Sequence, residues 1–335
     1  MYISVLYLVM STNKEKQGIK QTDVSNLFCT AGIKAHVVIG VTKNTYEVDP
    51  LHPEDNWLYP AFKGFEQLYQ KLKKEKKANK IFVTIGTGQG LDAIGAYYIL
   101  NPTKIIMTDI HPKVIPIAKQ NFLQNIGERG VLKGALVGNL CAPLKSMGIV
   151  ADIIYGNLPN IPFDGISSAL DGQLTSTFFD QKKIRVCSNK LEQYLLGLQN
   201  DFLHDAYDCL TPGGSIVINL GARVPVGLVE KMFKNAGYEY QELYSMLKVQ
   251  TQPEWVLGGY TRAEEKYNVL FDFYMFDEAK KTIDKYLGNR SISVEQLKQL
   301  LKPFRISAAQ GLKRFTYNNE RIGHIVQVIR GKKCS

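Results

Sequence analysis

Cysteine is scarce in this chain and scattered, at positions 29, 141, 187, 209 and 334. No Cys-x-x-Cys pair and no Cys/His cluster occurs. That excludes a thiolate zinc site and a disulfide framework, and no metal is expected. The odd, sparse count fits a reducing, cytoplasmic setting. Long apolar runs are also lacking. The opening MYISVLYLVM is largely apolar for ten residues only, about half of what a membrane-spanning helix needs. It has neither a basic front nor a small-residue cleavage site, so it reads as a buried strand or short helix and not as a leader. Internal repeats and low-complexity segments are absent. What remains is an ordinary globular composition, 45% hydrophobic and 21% charged over 335 residues. That is enough chain for one large α/β domain with appendages, or for two domains.

The formal net charge of +10 invites a nucleic-acid partner, but its distribution does not favour one. KLKKEKKANK (71–80) carries +5 and the tail after Glu320 carries +4, so the remaining chain is nearly neutral. A lysine run closing a helix is ordinarily a solvated face aligned with the helix dipole.

Residues 1–61 are mixed, with a strand-like AHVVIGV (35–41) and a Pro- and aromatic-rich loop, DPLHPEDNWLYP. Apolar positions at helical spacing predict a helix over 62–79. Strand and helix then alternate. Strands are predicted at 81–85, 104–110, 134–139, 151–156 and 215–221, with helices at 91–100, 114–126, 191–210 and 228–237. Such alternation with short connections predicts a doubly wound α/β, Rossmann-like sheet with a parallel core. Strands at 238–250 and 269–276 lie close in sequence and predict an antiparallel edge. The long connection at 164–190 shows no periodicity and is expected to be functional. Beyond 276 the pattern predicts a helical extension, with helices at 278–287 and 294–301. Ser293 and Gln296 can form a capping box on the second. The organisation is therefore an N-terminal substrate or lid segment (1–61), a nucleoside-binding domain (62–276) and a C-terminal extension (277–335). The extension is either a lid or a dimerisation element, which leaves a homodimer open.

The first chemical signal is TIGTGQG. Gly86, Gly88 and Gly90 follow a strand and precede a helix, so the backbone can approach a ligand at a helix N-terminus. Asp109 ends the next strand, where a carboxylate can grip a ribose diol. The dinucleotide fingerprint would need glycine at 91, where Leu91 stands. The second signal is a strand that breaks into Gly156-Asn157-Leu158-Pro159-Asn160.

Together these resemble the class I S-adenosylmethionine-dependent methyltransferases over roughly residues 62–276. The resemblance implies S-adenosyl-L-methionine as cofactor, bound by Gly86, Gly88, Gly90, Asp109, Ile110, Asn139 and Asn157. LTPGGSIVIN and MFKNAGY match the family's late strand-turn and helix. Thr84 stands where the family often has an acid for the methionine end, and it supplies no charge. In many amine methyltransferases the corresponding loop is Asn-Pro-Pro-aromatic, whose Asn orients the acceptor. Here the final aromatic is replaced by Asn160, which disfavours a flat base as acceptor, since stacking is worth roughly 1–3 kcal/mol per base. A closer resemblance, over residues 50–276, is to the methyltransferase domain of methionine S-methyltransferases. It rests on HPEDNW (52–57), the Gly156–Asn160 loop, LEQYLLGL (191–198), NLGAR (219–223) and FDFYM (271–275).

These readings give the candidate residues. Asn157, Pro159, Asn160 and Tyr155 are expected at the reacting centre, with Trp57, Tyr59, Phe178, Phe179 and Arg223 around the acceptor. A thioether acceptor needs no base, only a wall that tolerates a sulfonium, whereas an amine needs a nearby group such as Glu54, Asp55 or His52. Arg223 is the candidate cation for an acceptor carboxylate. The leading expectation is methyl transfer to a thioether or amine of a small molecule, amino acid or peptide. Methylation of nucleic acid (adenine N6) or protein (glutamine N5), and an inactive methyltransferase-like binding module, stay open as alternatives.

Overall fold

A computed structural model of the protein describes residues 18–77, 80–127, 130–162, 176–180, 188–288 and 290–334. The apolar opening at 1–10 and most of the 164–190 connection lie outside the described residues.

The strands are β1 (Lys20–Asp23), β2 (Val38–Val41), β3 (Ile81–Ile85), β4 (Lys104–Asp109), β5 (Leu132–Val137), β6 (Ala151–Gly156), β7 (Ile161–Pro162), β8 (Phe178–Phe179), β9 (Leu210–Gly221), β10 (Tyr238–Val249), β11 (Phe273–Met275), β12 (Arg305–Ile306) and β13 (Ile322–Lys333). The main sheet runs β10-β13-β9-β6-β3-β4-β5, with β11 and β12 added beside one end of β13. Strands β5, β4, β3, β6 and β9 are mutually parallel, and β13 is antiparallel to both β9 and β10. IFVTI and IIYG are near-continuous apolar runs because helices cover the central strands on both faces. One face packs against helices Leu58–Lys74, Leu91–Leu100 and Ile115–Ile126, the other against Gly197–Tyr207, Leu228–Asn235 and Pro253–Tyr267.

Helix Leu58–Lys74 shows why the sequence folds this way. Leu58, Ala61, Phe62, Phe65, Leu68 and Leu72 recur at helical spacing and are all buried, while Lys71, Lys73 and Lys74 fall in the last turn, where cations suit the dipole. Before it, the β1–β2 ribbon is stitched to helix Ile115–Ile126. Buried Asn121 accepts from the Gly40 N–H at 2.7 Å and donates to the carbonyls of Gly40 and Gln89.

Several expectations change. The antiparallel partner of β10 is β13, not 269–276, of which only Phe273–Met275 is extended. The end of the chain therefore returns into the sheet interior, so 277–335 holds a central strand as well as helices Phe276–Tyr286, Val294–Leu301 and Ala308–Asn318. IGHIVQVI is apolar enough for a buried strand, and β13 is buried over ten successive residues. The capping box of Ser293 and Gln296 is present. The helix expected over 191–210 breaks at Tyr194–Leu196, where Leu195 takes φ +54°. A helix not anticipated spans Pro253–Tyr267. Two cations of the tail, Arg330 and Lys333, turn inward, whereas Arg321 pairs with Asp277 at the surface. Arg330 is fully buried and makes a two-armed ion pair with Glu75 at 2.7 and 3.0 Å. Lys333 donates to the carbonyls of Tyr207 and Leu210.

Candidate active site

At the carboxyl ends of the parallel strands, where the order reverses between β4 and β6 on either side of β3, lies a cavity of about 380 Å³. This is the crevice that a doubly wound sheet offers to ligands. The glycine loop forms one wall. Gly86, Gly88 and Gly90 all have positive φ, at +69°, +53° and +84°. A Cβ on Gly90 would meet the Ala118 carbonyl at 3.1 Å, so both conformation and space demand glycine there. Helix Leu91–Leu100 begins at Gly90, leaving its first N–H groups toward the cavity rim.

Asp109 closes β4 and accepts from the N–H groups of Gly88 (3.0 Å) and His111 (2.9 Å). Burial raises its pKa against those two bonds. Ile110 and Asn139 are exposed at the rim of the same cavity. Across from the loop, Asn157, Leu158, Pro159 and Asn160 line the opposite wall. A Cβ on Gly86 would come within 3.0 Å of Leu158, so the two loops are in close apposition. Asn160 and Pro159 are tethered: Gln199 donates to the Asn160 side chain at 2.5 Å and to the Pro159 carbonyl at 3.2 Å. Gln199 thereby fixes the loop that presents Asn157.

Trp57 lines the cavity, packed edge-on against Tyr46 at 5.0 Å, and its carbonyl accepts from Asn219 at 3.1 Å. Gln89 donates to the Tyr46 carbonyl, joining the N-terminal segment to the glycine loop. Phe178 and Phe179 also line the cavity, through the short β7–β8 pair. Arg223, just past β9, is buried on the far side.

Three expected residues are not brought to the cavity. Tyr155 is fully buried in the opposite layer, between the rings of Phe65 and Phe82, because alternation along β6 turns its side chain to that face. Tyr59 lies on helix Leu58–Lys74 against Tyr244. Thr84 is buried within β3, pointing away from the wall that Ile85 and Gly86 provide.

Four residues that sequence reasoning passed over do reach it. Asp92, one step into helix Leu91–Leu100, is buried beside Trp57 and the Tyr155 hydroxyl, and burial pushes its pKa up to about 7. It brings to the cavity the carboxylate that position 84 lacks. Its signal was its place in the first turn after the glycine loop. Lys248, Gln250 and His324 come from β10 and from just beyond it and from β13, elements whose pairing the sequence did not disclose. Of the loop groups offered as a base, Asp55 lines the cavity, whereas Glu54 is exposed outside it and His52 pairs with Asp49 in solvent.

In this sheet the parallel strands run β5-β4-β3-β6-β9, an antiparallel strand from the chain terminus is inserted beside β9, and a glycine loop with a strand-end acid faces the switch point. The chain has a mixed, doubly wound α/β sheet of the Rossmann-like kind with flanking helices. No family model matches it. Methionine S-methyltransferases of Zea mays and Hordeum vulgare are each 22% identical over 241 residues, which cover 67% of this chain and 22% of those proteins. The chain therefore matches about a fifth of the length of these curated relatives. Among solved structures, YcgJ of Bacillus subtilis aligns over 80% of this chain and 98% of its own, at 14% identity and a TM-score of 0.40. Phosphoethanolamine N-methyltransferase 2 of Haemonchus contortus, solved with S-adenosylhomocysteine, aligns over 81% and 53% at 12% identity and a TM-score of 0.35.

Proposed function

We propose that the protein is an S-adenosylmethionine-dependent methyltransferase acting on a thioether or amine of a small molecule, amino acid or peptide. The observation that carries this reading is that one cavity of about 380 Å³ joins the positive-φ glycine loop, Asp109 and the Asn157–Asn160 loop. The residues present suit the cofactor. The glycine loop and helix N-terminus suit its carboxylate, and Asp109 suits a ribose diol. Asp92 is a buried acid suited to a cationic group. The 22% identity to methionine S-methyltransferases supports a thioether acceptor.

When bound, S-adenosylmethionine supplies an electrophilic methyl group. The chain's own contribution is alignment and water exclusion, which together can lower the barrier of an in-line displacement by several kcal/mol. Gln199 holds the Asn157–Asn160 loop in register, and Asn157 offers an amide to orient the acceptor. Trp57 and Phe178 supply aromatic faces that tolerate a cationic product. A thioether needs no proton removed, whereas an amine would lose its proton to a group such as Asp55. The free buried thiols of Cys141 and Cys209 support a reducing, cytoplasmic setting.

Titration calorimetry with S-adenosylhomocysteine tests this reading. The wild type is expected to bind, and Asp109→Ala to weaken binding by about tenfold or more, because the variant loses both the ribose acceptor and the clamp on the Gly88 and His111 amides. No heat of binding with the wild type overturns it.

A further inference from the structure

Three basic residues form a row across adjacent strands at the end of the cavity remote from the glycine loop. Lys248 on β10 stands directly opposite His324 on β13. The β9–β13 pairing continues past Gly221–Val326 through a bond from the Ala222 N–H to the Ile325 carbonyl at 2.7 Å. Two residues further along that register, Arg223 falls opposite His324. Directly paired residues share a face, so all three side chains stand side by side, and all three line the cavity. Each is more than nine-tenths buried, with exposures of 5% for Arg223, 6% for Lys248 and 6% for His324.

Their partners are incomplete. The Arg223 guanidinium lies over the rings of Tyr260 (5.0 Å) and Phe273 (5.4 Å), and its Nη groups donate to Gln250 at 2.6 Å and Tyr260 at 3.4 Å. Its Nε has no partner, and neither has Nδ1 of His324. Lys248 donates to a backbone carbonyl, that of Val249. Buried cations are costly unless paired, and Arg223 and a charged Lys248 repel one another beside the His324 imidazole. The groups facing Lys248 are Arg223, His324, Tyr260 and, from the Pro53–Asp55 turn, the carboxylate of Asp55. One half-buried acid does not balance the row.

We propose that Arg223, His324 and Lys248 form a subsite for the oxyanion end of the acceptor, a carboxylate or a phosphate. The inference rests on the methyltransferase reading for what lies at the other end of the cavity. The unpartnered Arg223 Nε, the His324 Nδ1 in the tautomer that carries its proton there, and the Lys248 Nζ, which holds a single backbone carbonyl, are what an oxyanion accepts from. Burial beside Arg223 lowers Lys248 to about 7 and keeps His324 well below the ordinary histidine range. An anion among them favours the charged forms, so above neutral pH its arrival draws a proton from solvent onto Lys248. Affinity for the anion then falls as pH rises past about 7.

The test is calorimetry on the full chain, with and without S-adenosylhomocysteine. The titrants are L-methionine, L-methioninamide and inorganic phosphate, in buffers of different ionisation enthalpy. L-Methionine or phosphate is expected to bind with proton uptake, and which of them binds tells a carboxylate acceptor from a phosphorylated one. The amide, which lacks the oxyanion, is expected to bind about tenfold more weakly or not at all. Lys248→Met and His324→Gln are expected to weaken oxyanion binding about tenfold or more while leaving S-adenosylhomocysteine affinity unchanged. Lys248→Arg is expected to keep oxyanion binding and lose most of the proton uptake, since arginine stays charged; a merely structural lysine would not give that split. The proposal is overturned if neither oxyanion binds at millimolar concentration, or if Lys248→Met and His324→Gln bind it as tightly as the wild type. Oxyanion binding without S-adenosylhomocysteine binding would uphold this subsite and overturn the methyltransferase reading instead.

Discussion

Asp92 shows how much of the site is decided by single residues whose sequence context is bland. Nothing in LDAIGAYYIL marks it as other than a helix-starting acid, yet it is buried beside Trp57 and Tyr155 and faces the cavity. Its pKa is raised from an ordinary 3.8 in the unfolded chain to about 7 when folded. A group raised on folding stabilises fully below its unfolded value, and the contribution is lost as pH rises through the folded value. Asp92 therefore favours the folded chain below about pH 4 and progressively opposes it toward neutrality. Asp92→Asn removes that penalty. The difference in melting temperature, variant minus wild type, is expected to grow between about pH 5 and pH 8, while S-adenosylhomocysteine binding weakens. A flat difference would show that Asp92 ionises freely in the native state. Asp109 and the three glycines were legible because their spacing after a strand has a specific physical meaning. Tyr155 and Thr84 were misjudged because strand ends alternate faces, and a sequence does not say which face meets the ligand.

At the scale of elements, the basic tail changed most in meaning. The lysine run stays a solvated face, with Lys73, Lys74, Lys76, Lys77 and Lys80 exposed. Folded, Glu75 at the end of helix Leu58–Lys74 clamps Arg330 from β13 on a buried guanidinium that also donates to Ser215 on β9 at 2.8 Å. The Arg330 bonds hold the Glu75 carboxyl below its ordinary range, so this contribution is present above the unfolded pKa and lost as pH falls through the folded one. Glu75→Gln leaves a buried cation without its counter-ion. Urea unfolding at neutral pH is expected to show a loss of about 3 kcal/mol, with a smaller loss in the Glu75→Leu, Arg330→Met double variant. Equal losses would mean that packing and not the charge pair matters. Helix Leu91–Leu100 and strand β6 were readable as apolar runs bounded by turn residues. Helix Pro253–Tyr267 was not, because its buried residues Val256, Leu257, Tyr260 and Ala263 are interspersed with glycines and charges that weaken the pattern.

For the whole molecule, the terminal strand is decisive. β13 fills the gap between β9 and β10, and its far end pairs with β11. A chain ending after Asn319 would expose the edges of β9 and β10 and the apolar face of IGHIVQVI's neighbours, and it would remove His324 from the oxyanion row. Such a truncation is expected to lose cooperative thermal unfolding and to be rapidly proteolysed; a truncated chain with native-like melting would show that β13 is dispensable. The sequence by itself determined the parallel α/β core, the glycine loop and the acid that follows it. These are local, and each is written in periodicity or in a conformation that few residues can adopt. The row of Arg223, His324 and Lys248, the burial of Asp92 and the place of the last strand were decided by tertiary structure alone. Each depends on pairing between segments up to about a hundred residues apart, and long-range register leaves no mark in any one stretch of chain.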